Sequence, residues 1–310
     1  MLLYIVFGMI AFLIIAVIAI AYICYLMAFH ARKKDKIPKE EFPIPNGKIY
    51  EPWREAMKAW MIQTRALNHE AFSIKSFDGL TLHAKYYEQA PGAPIEIMFH
   101  GYRGNAERDL CGGVQRCFAL GHNALIVDQR ACGTSEGHVI TFGVNEYKDC
   151  LRWVDFAVNH FGPESKFILT GISMGASTVL NAAGQPLPNN VVGILADCGY
   201  TSPAEIITKV IGDMKLPAKL AYPFVKLGAR LFGHFNLEEI ASVDAIKNCK
   251  LPVIFFHGED DDFVPCEMSK KNFDVCTSKK RLVTMPGAGH GLCYLVDPDL
   301  YLQEMRAFFH

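Results

Sequence analysis

The stretch Lys166–Ala176, KFILTGISMGA, decides the fold of this chain. Its apolar residues Phe167–Leu169 have the character of a buried parallel strand, and GISMG at 171–175 then fits the pattern G-x-S-x-G before small and apolar residues continue at helical spacing. This order predicts a strand, a sharp turn and a helix. A serine at the tip of such a turn sits in strained backbone, and a β-carbon two residues to either side would crowd the neighbouring elements. Ser173 is therefore a candidate nucleophile, and a serine that only caps the helix is the alternative.

The composition restricts the class of protein. The 310 residues, of which 51% are hydrophobic, suffice for one substantial core with an appendage. The formal net charge is −1, and Lys and Arg are dispersed beyond the first forty positions, so we expect no nucleic-acid partner. The ten cysteines form no C-x-x-C pair and show no metal-ligand spacing. We therefore expect reduced core cysteines rather than a metal site or a disulfide framework.

An uncharged apolar stretch opens the chain. No charged residue occurs from Leu2 to Phe29, and this exceeds the roughly 20 residues that a helix needs to cross the hydrocarbon layer. We expect a transmembrane helix at residues 2–29, because the competing interpretation, a cleaved signal peptide, would require a basic start, a shorter apolar region and a small-residue cleavage site. Basic residues follow at once, namely Arg32, Lys33, Lys34 and Lys36. The positive-inside tendency then predicts a single-pass membrane protein with its main domain in the cytoplasm.

Residues 30–69 are expected to connect the membrane segment to the main domain. Four prolines with mixed charge between residues 35 and 52 suit an extended stem that lifts the domain off the bilayer. Apolar residues then recur at i, i+4, i+7 and i+8 from Trp53 and predict an amphipathic helix between Glu51 and Ala66. We expect its apolar face to pack against the domain, with the membrane surface as the alternative.

Strand and helix patterns alternate from residue 70 to the end of the chain. Asp78-Gly79 lies between two strand patterns, residues 72–75 and 80–87, and predicts an antiparallel hairpin. Besides the strand before Ser173, further strands are predicted at Ile95–Phe99, Ala124–Val127, Val191–Ala196, Val253–Phe256 and Leu282–Met285. Such alternation predicts a mostly parallel sheet with helices on both faces, in which ligands gather at the carboxyl ends of the strands.

The ends of three predicted strands carry residues that would complete the chemistry of Ser173. HGYRGN follows Phe99, HGEDDDFVP follows Phe256, and GAGH comes shortly after Met285. A serine hydroxyl is a poor nucleophile at neutral pH, so a histidine has to take its proton and a carboxylate has to orient that histidine. His290 is the candidate base. From the residues alone the acid stays open among Glu259, Asp260, Asp261 and Asp262.

Five ordered motifs, HGYRGN, DQRACGTSEG at 128–137, GISMG, HGEDDDFVP and GAGH, resemble those of the α/β-hydrolase fold and of the serine aminopeptidase S33-like group of serine hydrolases. The resemblance covers residues 70–310. It implies a triad of Ser173, His290 and Asp261, because HGxxDxxVP carries the acid four residues after its histidine. It also implies an oxyanion hole formed by the backbone N–H groups of Tyr102 and Met174, with no cofactor and no metal.

The resemblance also leaves positions where this chain differs or offers an alternative. Asp197 ends a strand where some hydrolases of this fold place their acid, and it ranks behind Asp261. Asp260 and Asp262 are then solvated loop acids, and the acidic run lacks the glycine and the distal glutamate of a calcium loop. Ala131 and Cys132 stand where DxRGHGxSxG has Gly and His, which affects only the expected packing of that loop.

An insertion of helical pattern, from residue 199 to about residue 248, precedes the predicted strand at Val253–Phe256. Its length suits a small cap over the active site, and caps of this fold set substrate choice. An apolar cap beside a membrane anchor favours a small-molecule or lipid-like acyl substrate, and the alternative is that its apolar residues form the cap's own core. We therefore expect a membrane-anchored serine hydrolase that cleaves an ester, thioester or amide through an acyl-enzyme.

Two other functions stay open. A serine aminopeptidase would need an acidic group to bind the α-amino group of its substrate, and Glu205 and Glu238 in the insertion are candidates. A non-catalytic, membrane-tethered binding protein could have the same fold. Such a protein would have no need to keep Ser173, Asp261 and His290 together.

Overall fold

The computed structural model describes residues 1–31, 41–45 and 47–309. In these ranges the strands are β1 (Glu70–Lys75), β2 (Thr81–Tyr87), β3 (Ile95–Phe99), β4 (Asn123–Asp128), β5 (Phe167–Ile172), β6 (Val191–Asp197), β7 (Val253–Gly258) and β8 (Lys280–Met285). They form one sheet in the order β1-β2-β4-β3-β5-β6-β7-β8. The pairs β1–β2 and β2–β4 are antiparallel and the other pairs are parallel, as the hairpin signal and the strand-helix alternation predict.

Helices cover both faces of this sheet. They are α1 (Leu2–Ala28), α2 (Arg54–Ala66), α3 (Ala106–Leu120), α4 (Glu146–Phe161), α5 (Met174–Ala183), α6 (Pro203–Asp213), α7 (Ala218–Leu231), α8 (Ser242–Ala245), α9 (Cys266–Val275), α10 (Cys293–Val296) and α11 (Pro298–Phe309), with 3-10 turns at Lys48–Trp53 and Ile246–Asn248. Ile97 and Met98 are adjacent on β3 and enter different apolar clusters, because successive side chains of a strand point to opposite faces. Ile97 shares its cluster with Trp153 of α4, and Met98 shares its cluster with Val114 of α3. Each such buried side chain contributes about 1.5–3 kcal/mol to folding.

The helix predicted between Glu51 and Ala66 is α2, preceded by the 3-10 turn. Trp60 of α2 packs so closely on Gly112 of α3 that a β-carbon at that glycine would lie 2.6 Å from the indole ring. The same indole stacks on Tyr294, with ring centroids 5.4 Å apart. The apolar face of α2 is thus turned toward the domain.

The predicted insertion contains α6, α7 and α8 and joins β6 to β7. Helix α6 begins with a side-chain cap, since the Ser202 hydroxyl accepts the backbone N–H of Glu205 at 3.1 Å and Pro203 occupies the first helical position. Buried residues of α6 and α7, such as Ile207 and Val225, belong to one apolar cluster with Met174, the residue after Ser173. The insertion therefore packs over the turn that carries the serine.

Helix α1 has the length and composition of a membrane anchor or of a signal sequence, and within the described ranges it alone does so. Its residues up to Ile20 are exposed except for the half-buried Ala16, whereas Ala21 and Tyr25 are buried against the domain. Helix α7 approaches this part of α1 through Gly228, where a β-carbon would lie 2.4 Å from the carbonyl oxygen of Ala21. Small residues at such a crossing allow two helix backbones to come close together.

The end of α1 contacts the domain directly, whereas residues 35–40 and 46 of the predicted stem lie outside the described residues. Phe29 is fully buried, and the N–H of Ala31 donates to the carbonyl of His138 at 2.9 Å. Hydropathy alone assigned Phe29 to the bilayer, but its ring is buried against Phe142 and Phe235 instead. The basic residues at 32–36, on which the predicted orientation rests, lie outside the described residues.

Candidate active site

Ser173 occupies the turn between β5 and α5. Its backbone has φ 57° and ψ −118°, a strained conformation for a residue with a β-carbon. A β-carbon at Gly171 would lie 2.0 Å from the carbonyl oxygen of Gly175, and one at Gly175 would lie 2.0 Å from the carbonyl oxygen of Phe99. Both glycines of G-x-S-x-G are therefore required for β5, α5 and β3 to meet at this turn.

Ser173, His290 and Asp261 form a hydrogen-bonded series. Nε2 of His290 lies 2.9 Å from the Ser173 hydroxyl oxygen, and Nδ1 lies 2.7 Å from Oδ2 of Asp261. The carboxylate accepts a hydrogen bond from Nδ1–H, so the proton stays on Nδ1 and Nε2 keeps a lone pair directed at the serine hydroxyl. Ser173 and Asp261 are buried and the His290 side chain is 12% exposed. This geometry suits proton transfer from the serine to the histidine.

Asp261 is held in its ionised form by four donors. Oδ1 accepts the backbone N–H groups of Phe263 at 3.0 Å and Val264 at 2.8 Å. Oδ2 accepts from His290 and also lies 3.2 Å from Nε2 of His257. Burial by itself would raise the pKa of Asp261, but hydrogen bonds from His257 and His290 outweigh it and hold the pKa below its usual value.

The other candidate acids do not reach His290. Glu259, Asp260 and Asp262 are all exposed on the loop after β7, and solvated acids were expected at Asp260 and Asp262. Asp197 is buried and accepts the hydroxyl of Tyr301 at 3.1 Å, and burial raises the pKa of this carboxyl to about 6. Of the acids in the described ranges, Asp261 is the one whose carboxylate contacts His290.

The loop between β3 and α3, residues 100–105, passes beside the serine. A β-carbon at Gly101 would lie 3.6 Å from Cβ of Ser173. Asp109 of α3 accepts the N–H of Gly101 at 3.2 Å, and the N–H of Gly104 donates back to the carbonyl of Gly101 at 3.1 Å. Among the described residues, the N–H groups of Tyr102 and Met174 have no hydrogen-bond acceptor. Two free donors beside a nucleophile are what an oxyanion hole requires.

His100, at the start of this loop, fixes the backbone through hydrogen bonds with Gln129. Nε2 of His100 accepts the N–H of Gln129 at 3.0 Å, and the Gln129 side chain donates to the His100 carbonyl at 2.6 Å. Gln129 begins the loop in which this chain departs from DxRGHGxSxG. Ala131 and Cys132 are both buried there in the apolar cluster of the cap, so the departure affects packing and leaves the triad untouched.

Tyr50 contacts the loop of His290, and the sequence did not predict this contact. It lies in the 3-10 turn before α2, in the segment expected to be a linker, and its hydroxyl donates to the carbonyl of His290 at 3.1 Å. Burial raises the pKa of Tyr50 well above its usual value, so the phenol stays a donor. The neighbouring Ile49 lies against Gly289, where a β-carbon would come within 3.1 Å of it. The only sequence signal was an apolar pair, Ile49-Tyr50, after a proline-rich segment.

The site fits acid-base chemistry better than metal binding. Ligand atoms of Cys198, Asp261 and His290 lie within 4.8 Å of one another and could by distance alone surround a metal ion. Burial raises the pKa of the Cys198 thiol well above its usual value, so the thiolate that a metal needs is disfavoured. The other two ligand atoms are already joined by a hydrogen bond.

The two acids suggested for an aminopeptidase are paired with lysines. Glu205 accepts from Lys271 at 2.5 Å and from the hydroxyl of Thr201. Glu238 accepts from Lys226 and from the hydroxyl of Tyr222. Each carboxylate is thus already paired with a lysine, and neither offers an unpaired negative charge to the amino group of a substrate.

Known proteins resemble this chain over much of its length. Residues 97–231 match the family described as alpha/beta hydrolase fold. The chain is 26% identical over 302 residues to the uncharacterized protein YqkD of Bacillus subtilis, which covers 96% of this chain and 94% of that protein. It is 26% identical over 211 residues to the lysophosphatidylserine lipase ABHD12 of Danio rerio, covering 64% of this chain and 52% of the lipase. The Pyrococcus furiosus esterase Pf2001 superposes with a TM-score of 0.66 at 21% identity, over 86% of this chain and 95% of the esterase. This chain therefore has the α/β-hydrolase fold.

Proposed function

We propose that this protein is a membrane-anchored serine hydrolase that cleaves an acyl ester or thioester. The observation that carries the proposal is the hydrogen-bonded series of Ser173, His290 and Asp261 at a strained turn. Among the relatives with a named activity are a lipase and an esterase, which agrees with acyl transfer.

The reaction would proceed in two steps. The Ser173 oxygen attacks the substrate carbonyl carbon while its proton passes to Nε2 of His290, and the resulting tetrahedral oxyanion accepts N–H bonds from Tyr102 and Met174. The bond to the leaving group then breaks, and His290 returns the proton to it. In the second step water attacks the acyl carbon while its proton passes to Nε2 of His290. The bond from that carbon to the Ser173 oxygen then breaks, His290 returns the proton to the serine oxygen, and the acid is released.

The position of α1 supports an anchor that ends at the active site. Its exposed part, Leu2–Ile20, would span about 28 Å at 1.5 Å per residue, close to the roughly 30 Å of the hydrocarbon layer. Contacts with the domain begin at the next residue, Ala21. A cleaved signal sequence would have no reason to be built into the domain in this way. With the span in place, the cap lies at the membrane surface.

Helix α7 of the cap runs beside α1 in the same direction. Phe235, just beyond α7, contacts Phe29 at a ring distance of 5.1 Å, and Phe232 contacts Tyr22 at 4.9 Å. Gly228 of α7 contacts the backbone of Ala21 in α1. Earlier residues of α7 therefore lie toward the earlier residues of α1. The first turn of α7 is therefore directed toward the bilayer.

Exposed apolar residues occur at that end of the cap. Leu216 is 48% exposed and Leu220 is 68% exposed, with Lys215 and Lys219 exposed beside them. Apolar residues interleaved with lysines suit the boundary between lipid tails and headgroups. This surface supports a lipid-like substrate that reaches the site from the membrane.

An aminopeptidase of the S33-like group is the second candidate. The lysine partners of Glu205 and Glu238 speak against it. We would compare p-nitrophenyl esters of increasing acyl length with aminoacyl p-nitroanilides, using the full chain in detergent. We expect ester turnover that rises with acyl length and little cleavage of the anilides. Preferred cleavage of anilides with a free amino group would favour the aminopeptidase instead.

A further inference from the structure

The end of α1 is joined to the loop that carries Tyr102. The Tyr102 hydroxyl donates to the carbonyl of Ala28 at 2.6 Å. The Arg103 guanidinium donates to the carbonyls of Met27 at 2.7 Å and His30 at 3.3 Å. The last carbonyls of a helix have no partner within the helix, and an arginine at this end also interacts favourably with the helix dipole. Residues 102 and 103 therefore cap the C terminus of α1.

These contacts also fix the loop. The Tyr102 ring lies 4.8 Å from the ring of Phe142, so the side chain is held along its length as well as at its hydroxyl. Burial raises the pKa of Tyr102 to about 12, so the phenol remains a donor. Arg103 has φ 54°, a left-handed conformation that is costly for a residue with a β-carbon, and its guanidinium lies over the Tyr102 ring at 5.0 Å. A strained residue persists where its surroundings hold it.

The loop is held from two sides. On the side of the sheet, Asp109 of α3 accepts the N–H of Gly101. On the opposite side, α1 holds the loop through Tyr102 and Arg103, and the ring of Phe142 packs on Tyr102. The direction of the Tyr102 N–H is set by the peptide bond that joins Gly101 to Tyr102. The loop is held at Gly101 on one side and at the Tyr102 side chain on the other, so this N–H lies between the two points of support.

The end of α1 is itself firmly placed. The N–H of Ile140 donates to the carbonyl of Phe29 at 2.8 Å, and the N–H of Ala31 donates to the carbonyl of His138 at 2.9 Å. These bonds form a short antiparallel bridge between the chain after α1 and residues 138–140. A rigid support can fix the direction of a donor in a way that a mobile segment cannot.

We propose that the C-terminal end of α1 is a structural part of the oxyanion hole, with the Tyr102 hydroxyl and Arg103 as positioning groups that set the Tyr102 N–H. The inference rests on the proposed function, because it assigns the Tyr102 N–H to the oxyanion. In this account the membrane helix does more than tether the enzyme. Its last turn sets the rate of acyl transfer.

The test uses the full chain in detergent with Tyr102→Phe, Arg103→Met and the double variant. Tyr102→Phe deletes one hydroxyl and keeps the ring and the backbone N–H. The matched control is Arg306→Met, because Arg306 also donates to a carbonyl near the end of a helix, that of Ala119 in α3 at 2.8 Å, away from the loop. Steady-state kinetics on a soluble p-nitrophenyl ester separates kcat from KM.

We expect kcat to fall about tenfold in each single variant and further in the double variant, with KM unchanged, because a displaced donor weakens binding of the oxyanion and not of the ground state. An alkyl trifluoromethyl ketone, which adds the serine oxygen to its carbonyl and so forms an oxyanion, should bind more weakly by the same factor. A loss of packing alone would not lower kcat and the affinity for the ketone by the same factor. Arg306→Met should keep the kcat of wild type.

Two outcomes contradict the inference. One is wild-type kcat and wild-type ketone affinity in Tyr102→Phe and Arg103→Met. The other is a fall in kcat that Arg306→Met shares, or that follows only the thermal unfolding midpoint. Absence of turnover in the wild type would instead refute the proposed function, so the two failures are distinguishable.

Discussion

Nε2 of His257 lies 3.2 Å from Oδ2 of Asp261, the same oxygen that accepts the hydrogen bond from Nδ1–H of His290. The ring of His257 is fixed at its other nitrogen by the hydroxyl of Ser269 at 2.6 Å. Nε2–H also donates to the carbonyl of Val264 at 2.8 Å. The carboxylate is thus oriented from behind by one histidine while it orients the other.

The two buried acids near the site should respond differently to replacement by asparagine. Asp261→Asn should lower kcat by about 10⁴, because an amide presents a donor to Nδ1 or a weaker acceptor and so disfavours the tautomer that accepts the serine proton. Asp197→Asn should keep kcat close to wild type, since Asp197 contacts Tyr301 and not His290. Ester kinetics on both purified variants makes the comparison. A larger loss in Asp197→Asn would assign the acid to β6.

Asp261 should also contribute a pH-dependent part of the stability. Its pKa is lower in the folded protein than the usual value of about 3.9. The stabilisation is therefore fully present above that value and is lost as the pH falls below about 4 toward the folded pKa. Urea unfolding of wild type and Asp261→Asn should show a constant difference between pH 7 and pH 5 that narrows at pH 3.5. A difference that widens on acidification would contradict the charged state assigned to Asp261.

Asp197 should show the opposite sign. Its folded pKa is raised to about 6 by burial, so ionising it at neutral pH costs stability, and the cost disappears as the pH falls through 6 toward the unfolded pKa of about 3.9. Asp197→Asn should be more stable than wild type at pH 8, by about 3 kcal/mol, and should lose this advantage by pH 4. Equal urea midpoints at both pH values would show that Asp197 does not carry the raised pKa.

The second glycine of G-x-S-x-G should be intolerant of a side chain. In Gly175→Ala the new β-carbon would lie 2.0 Å from the carbonyl oxygen of Phe99, so we expect a loss of about 3 kcal/mol in the free energy of unfolding. The control is Gly212→Ala in α6, where nothing lies within 4 Å and a gain of about 0.5–1 kcal/mol is expected. Urea midpoints measure both. Similar stability of the two variants would mean that β3 and α5 are not in contact at Gly175.

The exposed end of the cap should matter for substrates in membranes. Leu220→Asp should reduce turnover of a long-chain ester presented in phospholipid vesicles by about tenfold, because a charge in the lipid boundary costs on the order of 1 kcal/mol or more. Turnover of soluble p-nitrophenyl acetate should be unchanged. The matched control is Phe77→Asp, because Phe77 lies in the β1–β2 turn and is 45% exposed. In this variant we expect turnover of the ester in vesicles and of the soluble ester to stay as in wild type. Equal effects on vesicle and soluble substrates would argue against membrane contact by the cap.

The sequence predicts those parts of the site that have local causes. G-x-S-x-G between a strand and a helix gives the turn at Ser173, because packing at Gly171 and Gly175 is a short-range requirement. The strand ends at Phe256 and Met285 bring the loops with Asp261 and His290 to one edge, because parallel strands carry their carboxyl ends to the same side.

Contacts between distant residues have no such local cause. The bond from Tyr102 to Ala28 joins residues 74 apart, and the bond from Tyr50 to His290 joins residues 240 apart. Hydropathy places residue 29 in the bilayer because a window average carries no information about which apolar surface will cover a ring. Only the packed structure, with Phe142 before α4 and Phe235 of the cap against the ring, shows that Phe29 belongs to the domain.

The central claim is that Ser173 is an activated nucleophile. The most direct measurement is labelling of the full chain in detergent by a fluorophosphonate probe, with Ser173→Ala in parallel and thermal unfolding as a check that both are folded. We expect rapid labelling of wild type, in which the serine oxygen bonds to phosphorus and fluoride leaves, and no labelling of Ser173→Ala. A folded wild type that stays unlabelled, or a folded Ser173→Ala that labels equally, would contradict it.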